Sequence, residues 1–484
     1  MSYNILNELK PLFYPRSIAV AGVSAKDEKP GNRFIKVLRT YGYTGKIFIV
    51  HPTASEIDGI NAYPSLEAIP EKVDLVNINT PAQHVPQIIA DCVDKGIPAA
   101  EIFTSGFREV GKEGNKLEQA VKEAAQGKIR IVGPNCFGVY CPAGGLTLLP
   151  GPNYPKESGN VGVISQSGGW VTDFIWGADA YHVKFSKVIS YGNGIDLNEV
   201  SLLEYLSEDT DTKIISAYLE GINDGKRFLE IARCLQGKKP LIIWKGGLSS
   251  TGKRAVNSHT GSIAGEQSTW NAFFKQTGAV QVNSFEELLD TTAIFTYLQP
   301  GSYRNLALIG GGGGVGVAAG DICEKFNLNI PPSTTDILRK IRTLLPPQGT
   351  SIRNPFDMGS PHLSAAILKQ VIEILLEWEN IDLIVVNRLF FYGNEQLMGE
   401  KIVEEDRRAD AIIRMKKKAQ KPLVAVLEEL ASGPDMIGLE MDRRKVRTAF
   451  LNEGIFTTAS LFRLVRALSN FCTYWEKASL PRER

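Results

Sequence analysis

The feature that most constrains the fold of this chain is a regular alternation of short apolar segments with amphipathic segments in its first third. Apolar segments of strand length lie at residues 18–23, 47–50, 75–78, 99–103 and 129–132. Strands that alternate with helices in this way are typical of a parallel sheet with helices on both faces. The sequence therefore predicts an α/β protein whose N-terminal domain is a parallel, doubly wound sheet.

The same alternation restarts twice, which predicts three domains of about 150 residues each. A segment rich in proline and glycine at 142–159 interrupts the first round, and a second interruption lies at 298–302. The third round contains apolar segments at 306–309, 383–387 and 423–426 and a helical close at 460–476. We expect a Rossmann-like domain followed by two flavodoxin-like three-layer domains, over residues 1–141, 158–299 and 303–484.

Composition and charge argue against several classes of protein. Apolar residues make up 43% of the 484 residues, and 54 basic residues nearly balance 53 acidic ones. Such a chain has no general attraction for nucleic acid or for an anionic membrane. The six cysteines show no paired spacing, and the sequence contains neither a leader-like N-terminus nor an apolar run of about 18 residues. We therefore expect a soluble, cytoplasmic protein without a disulfide framework or a metal site.

A histidine among hydroxyls and glycines, in Ser258-His259-Thr260-Gly261-Ser262, is a candidate carrier of a transferable group. The apolar segment 240–245 and Gly246-Gly247 precede it, so we expect His259 on an exposed loop about a dozen residues beyond a strand. A neutral imidazole has a free lone pair that can attack an activated phosphoryl group. The alternative is a loop histidine without a role.

Glu220 is a candidate partner for this histidine, because it follows the apolar segment 214–219 and precedes a glycine. Strand ends in α/β proteins face the functional site. A carboxylate there can accept a hydrogen bond from one ring nitrogen of His259 and leave the other nitrogen as the nucleophile. The alternative for Glu220 is a solvated loop acid.

Two glycine-rich turns between a strand and a helix are candidate phosphate sites. Free N–H groups and the positive end of the helix dipole converge at such turns and attract anions. The candidate phosphate-binding residues are Ser165, Gln166, Ser167 and Gly168 in the first turn and Gly312, Gly313 and Gly314 in the second. A single turn of this kind is weak support, whereas two of them flanking a histidine carrier are stronger.

Several motifs in this order resemble the α subunit of the nucleoside-diphosphate-forming acyl-CoA synthetases, relatives of succinyl-CoA synthetase, over nearly the whole chain. The matching segments lie at 15–24, 104–107, 133–138, 165–169, 191–193, 218–221, 258–261 and 354–357. The resemblance implies that the first domain binds CoA. It implies contacts with the nucleotide half from residues near the first turn and with pantetheine from residues after later strands: Gly22, Ser24, Lys26, Lys29, Asn32, Pro81, Ser105 and Asn135.

The resemblance further implies a three-step reaction that interconverts acyl-CoA, ADP or GDP, and phosphate with a carboxylate, CoA and nucleoside triphosphate. An acyl phosphate and a phosphohistidine at His259 are its intermediates, and Glu220 assists the histidine. The sequence has no convincing ATP-grasp segment, so ATP or ADP and Mg²⁺ are expected on a separate ATP-grasp β subunit. An α2β2 assembly is the family expectation.

Two other functions compete with this interpretation. A nicotinamide-binding enzyme would carry GxGxxG in its first turn and an acid after its second strand. This chain has neither, because Val50-His51-Pro52 ends the second strand. A CoA- or acyl-CoA-binding sensor or scaffold without ligase activity is the second alternative.

The sequence leaves two side chains, Phe137 and Trp170, with open interpretations, either as walls of an acyl pocket or as core residues. Cys136, in an apolar setting flanked by proline, has no neighbour that would lower its thiol pKa. A structural role is therefore expected for this cysteine.

Overall fold

Three sheets organise the chain in a computed structural model that describes residues 4–148, 151, 153–259, 265–310, 312–346, 348–359, 364–387, 405–429 and 433–479. Two compact units, Met1–Leu288 and Leu289–Arg484, divide these residues. The first two sheets belong to the first unit and the third sheet to the second. Among the helices in the described ranges, none combines the length and apolar content needed to cross a membrane.

The first sheet is the parallel, doubly wound sheet that the alternation predicts. Its strands are β1 (Ser17–Ala21), β2 (Lys46–Val50), β3 (Glu56–Ile57), β4 (Ile60–Tyr63), β5 (Leu75–Ile78), β6 (Ala99–Ile102) and β7 (Arg130–Val132). Their order is β3-β4-β2-β1-β5-β6-β7, and β3 and β4 form the antiparallel pair. The order reverses at β1, which has β2 on one side and β5 on the other, so a crevice is expected at the strand ends there.

Two short helices precede the first sheet, and three longer ones connect its strands. They are α1 (Ile5–Glu8), α2 (Lys10–Phe13), α3 (Pro30–Tyr41), α4 (Val85–Lys95) and α5 (Lys112–Ala125). Pro30 occupies the first turn of α3, where its missing N–H costs nothing, and Gly42 ends the helix in a left-handed conformation.

The second sheet begins earlier in the chain than the sequence predicts. Its strands are β8 (Gly138–Tyr140), β9 (Val161–Ser165), β10 (Phe185–Ser190), β11 (Ile214–Leu219), β12 (Leu241–Lys245) and β13 (Val280–Val282), in the order β13-β12-β11-β9-β10-β8. β8 pairs antiparallel with β10, although the prediction assigns residues 138–140 to the first domain. The backbone N–H of Val139 donates to Glu101 Oε1 in β6 at 3.0 Å, which joins this edge strand to the first sheet.

Helices cover the second sheet, in which the strands β9 and β10 are buried along their whole length. The helices are α6 (Gly168–Asp179), α7 (Glu199–Glu208), α8 (Gly225–Leu235), α9 (Ser250–His259), α10 (Gln267–Thr277) and α11 (Phe285–Tyr297). The two units divide within α11, before the predicted break at 298–302. The predicted division into three domains therefore stays a prediction.

The third sheet is fully parallel, and its order is β15-β14-β16-β17-β18. Its strands are β14 (Leu306–Gly310), β15 (Phe356–Asp357), β16 (Leu383–Asn387), β17 (Leu423–Val426) and β18 (Thr457–Thr458). The helices here are α12 (Gly313–Lys325), α13 (Thr335–Arg342), α14 (Ala365–Leu376), α15 (Glu405–Lys418), α16 (Ile437–Asn452) and α17 (Leu461–Ser479). The sequence predicts β14, β16 and β17 but misses the two-residue strands β15 and β18, which are too short to show a pattern.

Candidate active site at the strand ends of the first two sheets

A cavity of about 640 Å³ lies where the carboxyl ends of strands from the first two sheets meet. The segments after β5, β6, β7, β9 and β10 line it together with the start of α3. The predicted site residues that line it are Lys29, Pro81, Ser105, Asn135, Gln166, Ser167 and Gly168. Residues that the sequence assigns to CoA and to phosphate therefore share one cavity.

A second pocket, of about 560 Å³, lies beside α3 and contains the predicted residues Ser24, Lys26 and Asn32. Lys36 and Arg39 also line it, and the sequence analysis missed both. Their spacing from Asn32 by four and seven residues on one helix places all three on the same face. That spacing is the signal that could have found them.

Asn32 fixes the loop that leads into α3. Its Oδ1 accepts hydrogen bonds from the backbone N–H groups of Ser24 at 2.9 Å and Lys29 at 3.3 Å. Its Nδ2 donates to the carbonyl oxygen of Ser24 at 2.9 Å. Asn32 therefore shapes the loop between β1 and α3.

Gly22, also predicted to contact CoA, lies in a left-handed conformation with φ +91°. A Cβ there would lie 2.5 Å from the backbone carbonyl carbon of Asn79, which lines the cavity. Only glycine allows the chain to pass this close to the segment after β5.

Aromatic and apolar side chains form one wall of the cavity. Phe137 and Phe103 stack with ring centroids 5.8 Å apart, and both line the cavity. Cys136 is buried beside them, and its Sγ lies 3.3 Å from the carbonyl oxygen of Ile102. Burial raises the pKa of the Cys136 thiol, as expected for a structural cysteine.

The turn from β9 into α6 presents the amino end of a helix to this cavity. Ser167 is the N-cap of α6, and its hydroxyl accepts a hydrogen bond from the N–H of Trp170 at 3.4 Å. A Cβ on Gly168 would lie 2.9 Å from the Phe137 ring, so the close approach of this turn requires glycine. Ser165 is buried at the end of β9, and its hydroxyl donates to the carbonyl oxygen of Ser167 at 2.7 Å.

Gln166 connects this turn to Glu220. Its Oε1 accepts hydrogen bonds from the backbone N–H groups of Glu220 at 2.9 Å and Gly221 at 3.3 Å, and from the Tyr191 hydroxyl at 3.4 Å. The sequence predicts Gln166 as a phosphate contact. The structure shows that its carbonyl oxygen orders the backbone at the end of β11.

Glu220 is buried, not solvated, and follows β11 directly. The Tyr218 hydroxyl donates to its Oε1 at 3.3 Å. His259 is the last residue of α9. Its side chain and residues 260–264 lie outside the described part of the chain. The predicted contact between His259 and Glu220 therefore lies outside it as well. Of the two candidate catalytic side chains, the structure describes that of Glu220.

The segment before His259 was predicted as a loop, and this prediction is wrong for residues 250–259. The structure has the helix α9 there. The hydroxyl of Ser249 accepts from the N–H of Gly252 at 3.0 Å and starts the helix. Only Val256 on this helix is buried among the residues whose exposure is described, so no apolar period indicates a helix.

Lys245, at the end of β12, is a buried cation that the sequence analysis missed. Its Nζ donates to the backbone carbonyl oxygen of Glu220 at 2.8 Å and also to that of Gly246. Burial lowers the pKa of Lys245 to about 8, while the charge of Glu220 opposes this shift and that of Lys253 adds to it. The position of Lys245 at the end of an apolar segment of strand length could have indicated a buried lysine.

Trp170 does not line the cavity and belongs to an aromatic cluster on the second sheet. Its ring centroid lies 4.8 Å from that of Trp244 and 5.2 Å from that of Phe285. Of its two predicted roles, the structure favours packing over an acyl-pocket wall.

The second glycine turn, at the start of α12, already holds a carboxylate. Asp357 Oδ1 accepts hydrogen bonds from the N–H groups of Gly312 and Gly359, both at 2.9 Å. An anion would have to share this turn with Asp357. The predicted phosphate contacts Gly312, Gly313 and Gly314 therefore stay a prediction.

The described residues show neither a disulfide nor a cluster of metal-ligating side chains. All six cysteines are free. Within the described ranges, no group of three histidine, cysteine, aspartate or glutamate side chains is arranged to hold a metal ion.

Two family models match the N-terminal part of the chain, over residues 16–142 and 158–295. The first match is to the CoA binding domain, and the second is to the succinyl-CoA ligase like flavodoxin domain. With the three observed sheets, these matches confirm the predicted α/β fold class, with a CoA-binding domain followed by a flavodoxin-like domain.

Sequence similarity to two ADP-forming acetate–CoA ligases extends over most of the chain. The chain is 38% identical over 362 residues to the α subunit of ADP-forming acetate–CoA ligase I from Pyrococcus furiosus, covering 72% of this chain and 76% of that protein. It is 36% identical over 379 residues to ADP-forming acetate–CoA ligase I from Archaeoglobus fulgidus, covering 78% of this chain and 54% of that protein. The chain thus spans about half the length of the first curated relatives it matches.

A solved structure agrees with these sequence matches. The dinucleotide-forming acetyl-coenzyme A synthetase 1 from Ca. Korarchaeum cryptofilum, in complex with phosphate and ADP, has a TM-score of 0.82 and 29% identity. The similarity covers 98% of this chain and 98% of that one.

Proposed function

The chain belongs to the NDP-forming acyl-CoA synthetase family, and from this premise we propose that it is the CoA-binding, phosphoryl-carrying part of an ADP-forming acid–CoA ligase. The reaction interconverts acyl-CoA, ADP and phosphate with a carboxylate, CoA and ATP. The observation that carries the proposal is the cavity in which strand ends of the CoA-binding domain meet the amino end of α6.

The nucleotide half of CoA is proposed to bind in the pocket beside α3. Lys26, Lys36 and Arg39 supply positive charge there, next to the acidic Asp27, Glu28 and Asp58. Lysine and arginine bind phosphate groups through charge-assisted hydrogen bonds. Pantetheine would then extend past Pro81 and Ser105, which carries the thiol into the cavity.

The acyl phosphate is proposed to form at the other end of that cavity. The amino end of α6 can stabilise its phosphoryl oxygens, while Phe137 and Phe103 offer an apolar wall to the acyl group. The CoA thiol attacks the acyl carbon, the bond from that carbon to the phosphate oxygen breaks, and the thiol proton leaves with the phosphate or with solvent.

In the opposite direction, in which ATP is made, His259 is proposed to take the phosphoryl group from the acyl phosphate. A ring nitrogen attacks phosphorus, an N–P bond forms, and the P–O bond to the carboxylate breaks. Glu220, at the end of β11, is proposed to orient the imidazole. Positioning and charge neutralisation supply most of the catalysis in such transfers.

ATP, ADP and Mg²⁺ are proposed to bind an ATP-grasp partner. The name "subunit alpha" of the Pyrococcus relative supports a separate β chain. An α2β2 assembly in the cytoplasm is the corresponding proposal. Copurification with a coexpressed ATP-grasp chain, followed by mass measurement, tests it.

The proposal is tested by labelling the phosphoryl carrier. The chain is incubated with a panel of acyl-CoAs, Mg²⁺ and radiolabelled phosphate, with and without an ATP-grasp partner. Acid-labile, alkali-stable label that is absent from His259→Ala is expected. Measurable CoA binding without label under either condition would contradict ligase activity and favour a CoA-binding sensor.

A further inference from the structure

Lys245, the last residue of β12, contacts both the end of β11 and the helix α10. Its ammonium group bonds to the backbone carbonyl of Glu220 at 2.8 Å. The same group lies 5.4 Å from the centroid of the Trp270 ring in α10. One buried cation thus contacts the end of β11 and the helix α10.

The charges around Lys245 come from three elements. Glu220 follows β11 and Lys253 belongs to α9. Glu266 directly precedes α10 and pairs with Lys253 at 2.7 Å. The charge of Lys253 is therefore partly balanced by Glu266. Glu220 is the acidic group whose charge acts on Lys245.

We propose that Lys245 is a positioning residue for Glu220, whose backbone it holds and whose buried carboxylate it supplies with nearby positive charge. The inference rests on the proposed function, in which Glu220 orients His259. The hydrogen bond from the ammonium group to the backbone of Glu220 holds the end of β11, and with it the carboxylate that is proposed to accept a hydrogen bond from the imidazole. Removal of the ammonium group should slow phosphoryl transfer to His259 and leave the affinity for CoA unchanged.

The pH dependence follows from the titration of the lysine. The pKa of Lys245 is lowered to about 8, so its charge is present at neutral pH and is lost as the pH rises through this value. Arginine keeps its charge in this range. An alkaline decrease in phosphoryl transfer should therefore depend on the residue at position 245.

The kinetic test measures labelling of His259 from acyl phosphate between pH 7 and 9.5. Lys245→Met should slow it by about 10- to 100-fold, the usual effect of removing a group that orients a catalytic side chain. Lys245→Arg should retain the rate and lose the decrease near pH 8. The affinity for CoA, measured separately, should stay unchanged in both variants.

Lys239, two residues before the start of β12, provides a matched control. Its Nζ also donates to two backbone carbonyl oxygens, those of Leu206 at 3.0 Å and Asp209 at 2.7 Å. If Lys239→Met slows labelling as much as Lys245→Met, or if Lys245→Arg keeps the alkaline decrease, the inference is wrong.

A second measurement does not depend on activity. Lysine ¹³Cε NMR, assigned with Lys245→Arg, gives the titration midpoint of Lys245 in the wild type and in Glu220→Gln. The midpoint should fall in Glu220→Gln, because the opposing charge is gone. An unchanged midpoint would overturn the inference, whereas missing label on wild-type His259 would contradict the proposed function instead.

Discussion

The side-chain oxygen of Gln166 accepts a hydrogen bond from the backbone N–H of Glu220 at 2.9 Å, although the two residues are 54 positions apart. Because parallel strands β9 and β11 are neighbours, their carboxyl ends bring the glycine turn and the carboxylate together. The turn that lines the cavity as a candidate anion site is therefore hydrogen-bonded to the residue proposed to orient the histidine.

Replacement of Gln166 by leucine should destabilise the first unit. The N–H groups of Glu220 and Gly221 would lose their acceptor in a buried setting, at a cost of about 1–3 kcal/mol for each unpaired group. Chemical denaturation measures this loss. Gln166→Glu keeps an acceptor oxygen and should lose less stability, and equal losses in the two variants would contradict the hydrogen-bond account.

A methyl group at Gly168 should block the cavity, while one at Gly169 should not. The added Cβ would lie 2.9 Å from the Phe137 ring at Gly168 but would meet nothing within 4 Å at Gly169. Overpacking of this kind costs about 1–3 kcal/mol. Labelling from acyl-CoA should fall in Gly168→Ala and stay near wild type in Gly169→Ala, and similar rates in both variants would contradict the prediction.

Removal of Arg39 should weaken CoA binding by about 10-fold or more, as expected for the loss of a charge-assisted hydrogen bond. Arg39 lines the pocket beside α3, whereas Arg33 on the same helix does not. Isothermal titration with CoA compares Arg39→Ala with Arg33→Ala. An equal change in affinity in both variants would argue against nucleotide binding in this pocket.

Glu101 should make the stability of the first unit depend on pH between about 4.5 and 7. Burial raises the pKa of Glu101 to about 7 from 4.5, so the folded state keeps a proton that the unfolded state has lost in this window. The unfolded state then binds fewer protons, and stability falls as the pH rises. Above about pH 7 the loss is complete.

Glu101→Gln removes the titration at this position. Thermal unfolding of the variant and the wild type is compared from pH 4.5 to 8. The unfolding temperature of the variant should rise relative to that of the wild type as the pH increases to about 7. Above that pH the difference between the two temperatures should stay constant. A constant difference over the whole range would contradict the prediction.

Much of the fold could be predicted because parallel strands are buried on both faces and leave continuous apolar segments in the sequence. β5, β16 and β17 have the predicted bounds for this reason. The helix α9 and the edge strand β8 were missed, since few of their residues carry the periodic pattern that a buried face imposes.

The sequence by itself determined the fold class, the glycine turns and the candidate pair Glu220 and His259, because these depend on local patterns and motifs. Only the tertiary structure decided that Lys245 bonds to Glu220 and that Asp357 occupies the turn at Gly312. Those contacts join residues far apart in the chain, and they exist because sheet topology makes particular strand ends neighbours. The lowered pKa of Lys245 has the same origin, since burial by distant residues removes its water.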